Sequence, residues 1–318
     1  MARQAPGQQE RTRAAAAAPG SRPLVLGGLA RRLAVALVIL VVGAGCNGGD
    51  RAASPSQAVA EDPGVVHVHG LGINPRDGAL FAATHTGLFA IGEGTATRVT
   101  ERLQDTMGFT VVGPDHFLGS GHPDFRDKQL TVPNKRPLLG LVESRDAGRS
   151  WQPLSLLGEA DFHALQVVHG RVYGYDATGG RFMVTSDRRH WQVRSRLELV
   201  SFAVSPTDAE VVVATTERGL ARSRDGGRRW QPIGGPAALL LDWKRPDALW
   251  AMTDDGQAWQ SRDGGQTWSR RGAFSGQPEA FLADGERLYV AVSGLGIVSS
   301  GDGGRSWQLR YRSGQPGG

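Results

Sequence analysis

Short apolar runs alternate with turns rich in glycine, aspartate and proline along most of the chain from residue 64 onward. One well-defined unit has such runs at 202–206, 211–215 and 220–222, followed by a polar hairpin and a fourth run at 231–233. Short runs bounded by turn residues are typical of β-strands. The pattern therefore predicts an all-β fold built from units of four short strands.

A polar hairpin motif recurs at a nearly constant interval. Four copies have the pattern Ser-x-Asp-x-Gly-x-x-Trp, at 144–151, 223–230, 261–268 and 300–307, and a shorter copy occupies 186–191. Their final tryptophans are separated by steps of 40, 39, 38 and 39 residues. A repeat of this length with four strands has the size of one β-propeller blade. The repeated positions are Asp146, Asp187, Asp225, Asp263 and Asp302, with Trp151, Trp191, Trp230, Trp268 and Trp307.

Six units align on this repeat, so we predict a six-bladed β-propeller over residues 64–313 and a disordered tail at 314–318. The units cover 66–100, 105–154, 161–194, 199–233, 237–270 and 278–311. The second unit carries an insertion at 123–137, which we interpret as a rim or lid. Three tryptophans of the fifth unit, Trp243, Trp250 and Trp259, are expected in the core.

The residue types of the hairpin motif explain its recurrence. An aspartate side chain binds nearby backbone N–H groups, and glycine adopts the positive φ that the turn requires. The tryptophan supplies a large apolar surface that can fill the space between neighbouring units. We therefore interpret the repeated aspartates and tryptophans as structural residues.

The motif resembles the Asp-box, or BNR repeat, of sialidase-like β-propellers. The segment 67–75 reads His-Val-His-Gly-Leu-Gly-Ile-Asn-Pro and is similar to the opening of exported bacterial lipoproteins catalogued as glycosyl hydrolase-like. The resemblance implies a propeller with its hairpins at the blade periphery, and glycoside hydrolysis as one expected activity. Sialidases of this group also carry an Arg-Ile-Pro segment, which does not occur in this sequence, so we do not expect a typical sialidase.

The first 45 residues have the features of an export signal. Six arginines precede or flank an apolar run at 33–42, which is followed by Gly-Ala-Gly and then Cys46. A basic region, a short apolar region and small residues are typical of such signals. The position of Cys46 resembles a bacterial lipobox, so we expect lipid attachment there, although an ordinary cleaved signal is the alternative. Residues 46–63 then form a flexible linker, and the protein is exported to the cell membrane or envelope.

Charge and cysteine content narrow the choice of partners. The formal net charge is +5, and residues 1–45, with six arginines and one glutamate, account for all of it. The remaining chain is close to neutral, so we expect no nucleic-acid partner. Cys46 is the single cysteine, so no intramolecular disulfide can form. We expect a monomer that is attached to the membrane through its lipid.

All eight histidines precede residue 191. Aligned on the repeat, most of them occupy the starts of inner strands or the turns between second and third strands, which open on the same face. The residues brought to one sector of this face are His67, His69, His85, His122 and His163, with Asp161 and Asp176. The remaining three, His116, His169 and His190, map elsewhere and are expected at the surface.

Converging imidazoles favour a transition-metal site, for which we expect zinc or copper as the cofactor. Met107, which together with Asp105 takes the equivalent place in the second unit, could add a soft ligand for copper. The same histidines could instead take part in catalysis, bind a small ligand or glycan, or fill the central channel through hydrogen bonds to carbonyl groups. The sequence does not decide between these roles.

Two further functions remain open. A glycoside hydrolase needs a pair of carboxylates, and candidates near the same face are Asp161, Asp176, Glu217 and Glu279. A non-catalytic scaffold would bind a protein partner and need neither metal nor carboxylates. We regard binding of a metal ion or small ligand in the histidine-rich mouth as the leading interpretation.

Overall fold

Each repeat unit folds into one antiparallel four-stranded sheet, and the six sheets form a ring. The computed structural model describes residues 62–314. The predicted six-bladed β-propeller is confirmed. The signal segment 1–45, Cys46, nearly all of the linker and the last four residues lie outside the described residues, so the predictions made for them stay predictions. Within the described range, no helix has the length and apolar character needed to cross a bilayer.

The strands run in chain order from the inside to the outside of each blade. Blades one to three contain β1 (Val68–Ile73), β2 (Leu80–Thr84), β3 (Gly87–Ile91), β4 (Ala96–Arg98); β5 (Asp105–Gly113), β6 (His116–His122), β7 (Leu141–Ser144), β8 (Gln152–Ser155); and β9 (Phe162–Val168), β10 (Arg171–Asp176), β11 (Arg181–Thr185), β12 (Gln192–Arg196). Blades four to six contain β13 (Ser201–Val204), β14 (Val212–Thr216), β15 (Gly219–Ser223), β16 (Gln231–Pro232); β17 (Ala238–Arg245), β18 (Ala248–Thr253), β19 (Gln257–Ser261), β20 (Ser269–Ala273); and β21 (Pro278–Asp284), β22 (Arg287–Val292), β23 (Gly296–Ser300), β24 (Gln308–Arg312).

The hydrophobic core lies between neighbouring blades. Each apolar cluster combines side chains from two successive sheets, as where Leu71 and Phe89 of blade one pack with Leu282 and Ile297 of blade six. That cluster closes the ring. Every described sheet is formed by four consecutive strands, so blade six borrows no strand from the N-terminal side of blade one. The ring therefore closes without a shared strand, by side-chain packing and isolated hydrogen bonds such as that from Gly94 N–H to the Arg310 carbonyl at 2.7 Å.

Hydrogen bonds from backbone to side chain also join every pair of neighbouring blades. At five interfaces an inner-strand N–H of one blade donates to a side-chain oxygen of the preceding blade, and between blades one and two Asp115 N–H donates to Asn74 at 3.0 Å. The five donors and acceptors, separated by 2.8–3.1 Å, are Phe162 with Ser120, Val204 with Gln166, Leu241 with Ser201, Ala283 with Asp242, and Val68 with Glu279. Because a buried N–H without a partner is costly, these bonds stabilise the spacing of the inner strands.

The repeated hairpins are held by one aspartate each. In the copy at 261–268, Asp263 Oδ1 accepts the backbone N–H groups of Gln266 and Thr267, both at 2.9 Å, and Ser261 Oγ accepts that of Gly265 at 2.6 Å. In the short copy the hydroxyl comes from Thr185, which donates to Asp187 Oδ1 at 3.0 Å, and not from Ser186 as the sequence motif suggested. Thr185 precedes Asp187 by two residues, the same spacing as Ser261 and Asp263, and the residue missing from the short copy lies after the aspartate.

The hairpin tryptophans pack between blades. Trp191 stacks on Phe162 with 4.6 Å between ring centroids, and Trp230 meets Phe182 edge-on at 5.4 Å. The indole N–H of Trp191 donates to Ser155 Oγ of the preceding outer strand at 2.9 Å. Among the other tryptophans, Trp243 and Trp250 are buried as predicted, whereas Trp259 is half-buried.

The insertion at 123–137 packs against the outer edge of blade two. Its short 3₁₀ turn, Lys128–Leu130, buries Leu130 in the cluster that contains Trp151, and the Gln129 amide donates to Trp151 O at 3.1 Å. These contacts are with β8 and its surroundings and not with the histidines. The insertion thus supports the blade from outside, and the lid role that we expected gains no support.

Gly108, in β5, allows the inner strands of blades two and three to approach. A Cβ at this position would collide with the backbone oxygen of Phe162. Gly113, at the other end of the same strand, has open space around its Cβ direction and does not have a positive φ. Of these two residues of β5, only Gly108 needs to be glycine for packing.

We predict that Gly108→Ala lowers the free energy of unfolding by about 1–3 kcal/mol, because the strands must separate to admit the methyl group. Gly113→Ala, the matched control, should change it by less than about 0.5 kcal/mol. Chemical denaturation of both variants measures the difference. Equal stability of the two would contradict the close-approach argument.

We also predict that the ring loses stability on acidification through its hairpin aspartates. Hydrogen bonds from the Thr267 hydroxyl and backbone N–H hold the pKa of Asp263 below its ordinary value, and those from Ser306 do the same for Asp302. A depressed folded-state pKa contributes stability that is present above the ordinary pKa and is lost as the pH falls below it. In urea unfolding between pH 7 and pH 3, the Asp263→Asn variant should show a smaller loss than the unmodified protein. Parallel pH profiles would refute the assignment.

Candidate metal centre

Five predicted site residues and one further aspartate meet at one face of the ring. We call this face the mouth, defined as the side at which the inner strands begin. His69 lies in β1, His85 in the turn between β2 and β3, and His122 at the end of β6. Val68 pairs with Thr84, and Asp105 pairs with His122. The start of each inner strand therefore lies beside the end of the second strand of its blade. The hairpins that contain the repeated aspartates follow the third strand of blades two to six and open on the opposite face.

Asp105 is the centre of the arrangement. Its Oδ1 lies 3.2 Å from His69 Nε2, and its Oδ2 lies 3.1 Å from His85 Nδ1 and 3.3 Å from His122 Nδ1. The potential ligand atoms of His69, His85 and Asp105 all lie within 4.8 Å of one another. We call these three residues the Asp105 group.

A glycine is needed to bring His122 to this carboxylate. Gly121 has a φ of +128°, and a Cβ there would collide with the Asp105 carbonyl oxygen. Glycine adopts this backbone conformation without the steric penalty of other residues. The end of β6 can therefore lie directly against the start of β5.

The burial and charge of the Asp105 group favour binding of a cation. The side chains of His69 and Asp105 are only 8% and 15% exposed, whereas that of His85 is 60% exposed. Burial lowers the pKa of His69, which favours the neutral imidazole that metals require. Burial alone would raise the pKa of Asp105, but the hydrogen bond from His122 and the nearby imidazoles of His69 and His85 lower it overall. The group therefore offers a buried anion and, at His69, an imidazole whose neutral form is favoured.

Two buried atoms of the group have no hydrogen-bond partner within residues 62–314. They are His69 Nε2 and Asp105 Oδ1, which lie near each other but at an angle unsuited to a hydrogen bond. A buried polar atom without a partner is costly, unless a water molecule or ion satisfies it. The arrangement of these two atoms fits a bound cation.

A second set of ligand-type residues lies beside the first. Asp161 precedes β9, and its Oδ2 lies 3.0 Å from His163 Nε2 and 3.7 Å from His122 Nε2. The Asp161 side chain is 7% exposed, and its Oδ1 is buried with no partner in the described part of the chain. We call His122, Asp161 and His163 the Asp161 group.

His67 lies beside the Asp105 group and not within it. Its ring meets that of His69 edge-on at 4.7 Å, but its Nδ1 is 3.0 Å from Glu279 Oε1. This hydrogen bond raises the pKa of His67. His67 also has a φ of 45°, a conformation that non-glycine residues rarely adopt. The expected ligand His67 is thus engaged in an ion pair at the edge of the mouth.

Several carboxylates predicted as catalytic candidates already have structural partners. Asp176 is fully buried and accepts hydrogen bonds from Arg181 Nε at 2.7 Å and from the Asp161 backbone at 3.0 Å. Glu279 accepts the N–H of Val68 and closes the ring between blades six and one. Glu217 is exposed in the turn between β14 and β15.

The remaining histidines have partners away from the mouth. His169 lies 2.8 Å from the Ser205 carbonyl, and His190 lies 2.7 Å from Asp187; both are exposed as expected. His116 is instead half-buried, with Glu143 at 2.7 Å. Its position at the start of β6 explains this burial.

Asp105 is the residue that sequence reasoning placed in the mouth without giving it a role. The signal was present, because Asp105-x-Met107 and Asp161-x-His163 occupy equivalent starts of β5 and β9. Met107 itself is half-buried at a bulge of β5. In both strands an aspartate lies two residues before the aligned position, which is Met107 in one and His163 in the other. This shared spacing could have identified Asp105 as well as Asp161.

Two imidazoles and one carboxylate form a ligand set used by catalytic zinc and non-haem iron sites, which keep open coordination positions. The Asp105 group fits such an ion. The chain supplies no thiolate here, so the set favours a borderline metal such as Zn²⁺ or Cu²⁺ over Cu⁺. The open mouth leaves room for water or a small ligand on the ion.

Comparison with known proteins supports the fold and leaves the function open. No protein-family model and no curated protein matches the chain. A chain of the nidogen/laminin complex is similar with a TM-score of 0.56 at 12% identity, over 74% of this chain and 93% of that chain. XC5397 from Xanthomonas campestris, described as a gluconolactonase, has a TM-score of 0.55 at 14% identity, over 72% of this chain and 84% of that one. YCF48 bound to D1 peptide has a TM-score of 0.47 at 15% identity, over 78% and 82%. At these identities the two structures with TM-scores of 0.55 and 0.56 support the fold alone.

Proposed function

We propose that the protein binds a divalent transition metal ion, zinc or copper, in its mouth through His69, His85 and Asp105. The observation that carries the proposal is the convergence of these ligand atoms within 4.8 Å, with His69 Nε2 and Asp105 Oδ1 buried and unpartnered. A histidine that merely filled the channel would be expected to find a hydrogen-bond partner for each buried nitrogen. A metal ion would satisfy both atoms at once.

The bound ion would present open positions to the solvent. His85 is largely exposed, so the outer side of the site is accessible. With three protein ligands, an ion retains at least one position for water or for a small oxygen-rich ligand. We therefore infer a binding protein whose ligand reaches the metal from the mouth.

A glycoside hydrolase acting through carboxylates has less support. Such an enzyme needs one free carboxylic acid and one free carboxylate on either side of the sugar bond. Asp176 is bound by Arg181, and Glu279 is bound by His67 and Val68. Membership of the Asp-box family and the glycosyl hydrolase label both stay predictions from the sequence motif.

We further propose that Cys46 carries a lipid and attaches the propeller to the cell envelope, on the basis of the basic and apolar signal segment before it. Cys46→Ser should move the protein from the membrane fraction to the soluble fraction of a bacterial host. Retention in the membrane fraction would show that the attachment does not depend on this cysteine.

Zinc should stabilise the untagged protein against heat, because a ligand that binds only the folded state adds about 2.7 kcal/mol at one hundred times its Kd. His69→Ala should weaken Zn²⁺ binding at the Asp105 group by at least about 10-fold. Replacing a residue that only hydrogen-bonds to a metal ligand already lowers metal affinity by about that factor, and His69 would be a ligand itself. His190→Ala removes an exposed imidazole elsewhere and serves as the control. Isothermal titration of the metal-free proteins with Zn²⁺ tests this. Equal affinity of His69→Ala and His190→Ala would disprove the site.

A further inference from the structure

Three large apolar side chains are exposed on the mouth face of blades one and two. Val66, Leu103 and Phe125 are 41%, 48% and 69% exposed. Val66 precedes β1, Leu103 precedes β5, and Phe125 follows β6, so all three lie on the side at which the inner strands begin. A single exposed apolar side chain is ordinary, whereas several on one contiguous surface are typical of an interaction site.

The segments that carry these residues form one continuous surface. Three contacts join them, namely Thr86 Oγ1 with the Gly64 carbonyl at 2.7 Å, the Arg102 carbonyl against Gly87, and the Leu103 N–H with Asp124 Oδ2 at 2.9 Å. The N-terminal segment of blade one, the connection to blade two and the start of the insertion therefore lie side by side. We call the segments 64–66, 101–103 and 124–126 the apolar strip.

The charges in and beside the apolar strip compensate one another. The pairs of opposite charge are Arg126 with Asp124, Arg98 with Asp62, and the adjacent exposed side chains of Glu101 and Arg102. The strip thus presents apolar side chains between compensated charges. Such a surface suits a partner that is apolar below a layer of zwitterionic groups and does not need a strongly charged one.

The described chain also begins beside the apolar strip. Gly64 is bound by Thr86, and fifteen residues, 47–61, separate Asp62 from Cys46. An unstructured chain of that length spans about 20–25 Å on average. A lipid on Cys46 would therefore hold this edge of the ring close to a bilayer, and the strip would meet the bilayer before the opposite face does.

The opposite face has no comparable surface within residues 62–314. The other exposed large apolar side chains there are Val193, Val200 and Leu309. Val200 precedes β13 and so lies on the mouth face, whereas Val193 and Leu309 lie on the outer strands β12 and β24. The exposed residues at the tips of the repeated hairpins are polar, as at Arg149 and Arg305. The mouth face is therefore the better suited of the two to contact lipid.

We propose that the apolar strip docks on the surface of the lipid bilayer, with Leu103 and Phe125 inserted between the headgroups. This inference rests on the proposed lipid at Cys46 and goes beyond it, because it assigns the face of the ring that meets the membrane. Interfacial binding strengthens with the apolar area that enters the headgroup region, and the lipid keeps that area close to the bilayer. The mouth would then open toward the bilayer, and a ligand would reach the Asp105 group from the space beside the membrane.

The test uses the lipid-modified full chain in phosphatidylcholine vesicles, with a nitrobenzoxadiazole fluorophore on Glu101→Cys. Cys46 is the single cysteine of the chain and its thiol would carry the lipid, so the introduced cysteine is the only site for the label. Fluorescence at this position should shift to shorter wavelength and be quenched by nitroxide-labelled lipid. The same label on Gln266→Cys, in a hairpin of the opposite face, should show neither effect.

The apolar side chains themselves are tested in the Glu101→Cys background. The double variant Leu103→Ser, Phe125→Ser should lose most of the quenching. Val193→Ser, which removes a comparably exposed apolar side chain from an outer strand, should leave the quenching unchanged and serves as the matched control. Circular dichroism of each variant controls for folding.

Flotation of the vesicles separates the two proposals. Protein that does not float with the vesicles overturns both the lipid attachment and the docking. Protein that floats, but shows equal quenching at positions 101 and 266 or retains the quenching in the double serine variant, overturns the docking and leaves the lipid attachment intact. A shift to shorter wavelength at position 101 without quenching by the labelled lipid would place a second copy of the chain on the strip and would also overturn the bilayer contact.

Discussion

The close approach of β5 and β9 is the constraint on which the candidate metal centre depends. Gly108 lies directly against the Phe162 carbonyl, and the Phe162 N–H donates to Ser120 at 2.8 Å. The two strands therefore begin side by side, and their first residues bring in two carboxylates. Asp105 of blade two and Asp161 of blade three both lie near His122, because no side chain separates the starts of the two strands. The packing of the propeller thereby determines the spacing of these two carboxylates.

The buried carboxylates near the mouth have two kinds of partner, a guanidinium or imidazoles. Asp176 pairs with Arg181, whose guanidinium is always charged and whose hydrogen bond is directional. Asp105 and Asp161 face only imidazoles, which can lose their protons near neutral pH and turn a lone pair toward a cation. A neutral imidazole beside such a carboxylate can bind a cation through a ring nitrogen. The same mouth thus contains both a closed ion pair and two carboxylates with exchangeable partners.

Much of the architecture could be predicted from the sequence, since the hairpin around Asp263 recurs with little variation and each copy marks one blade. Alignment on that repeat also brought His69, His85, His122 and His163 to one face. The side-chain partners could not be predicted in the same way. His67 occupies the same strand start as His69, yet its left-handed φ turns it toward Glu279 across the ring closure. The hydroxyl role of Thr185 and the outward packing of Leu130 likewise depend on local backbone geometry and on neighbours distant in sequence.

The mode of ring closure has a consequence for how the chain could be rearranged. Blades six and one share no strand; they meet through side chains, the bond from Val68 N–H to Glu279 and a backbone bond from Gly94 N–H to the Arg310 carbonyl. The beginning and end of the described ring therefore lie in adjacent blades. Within the described residues, no loop of the chain crosses from blade six to blade one. The polypeptide could therefore be opened in another inter-blade loop and rejoined at its present ends, and the circular order of the six sheets would be preserved.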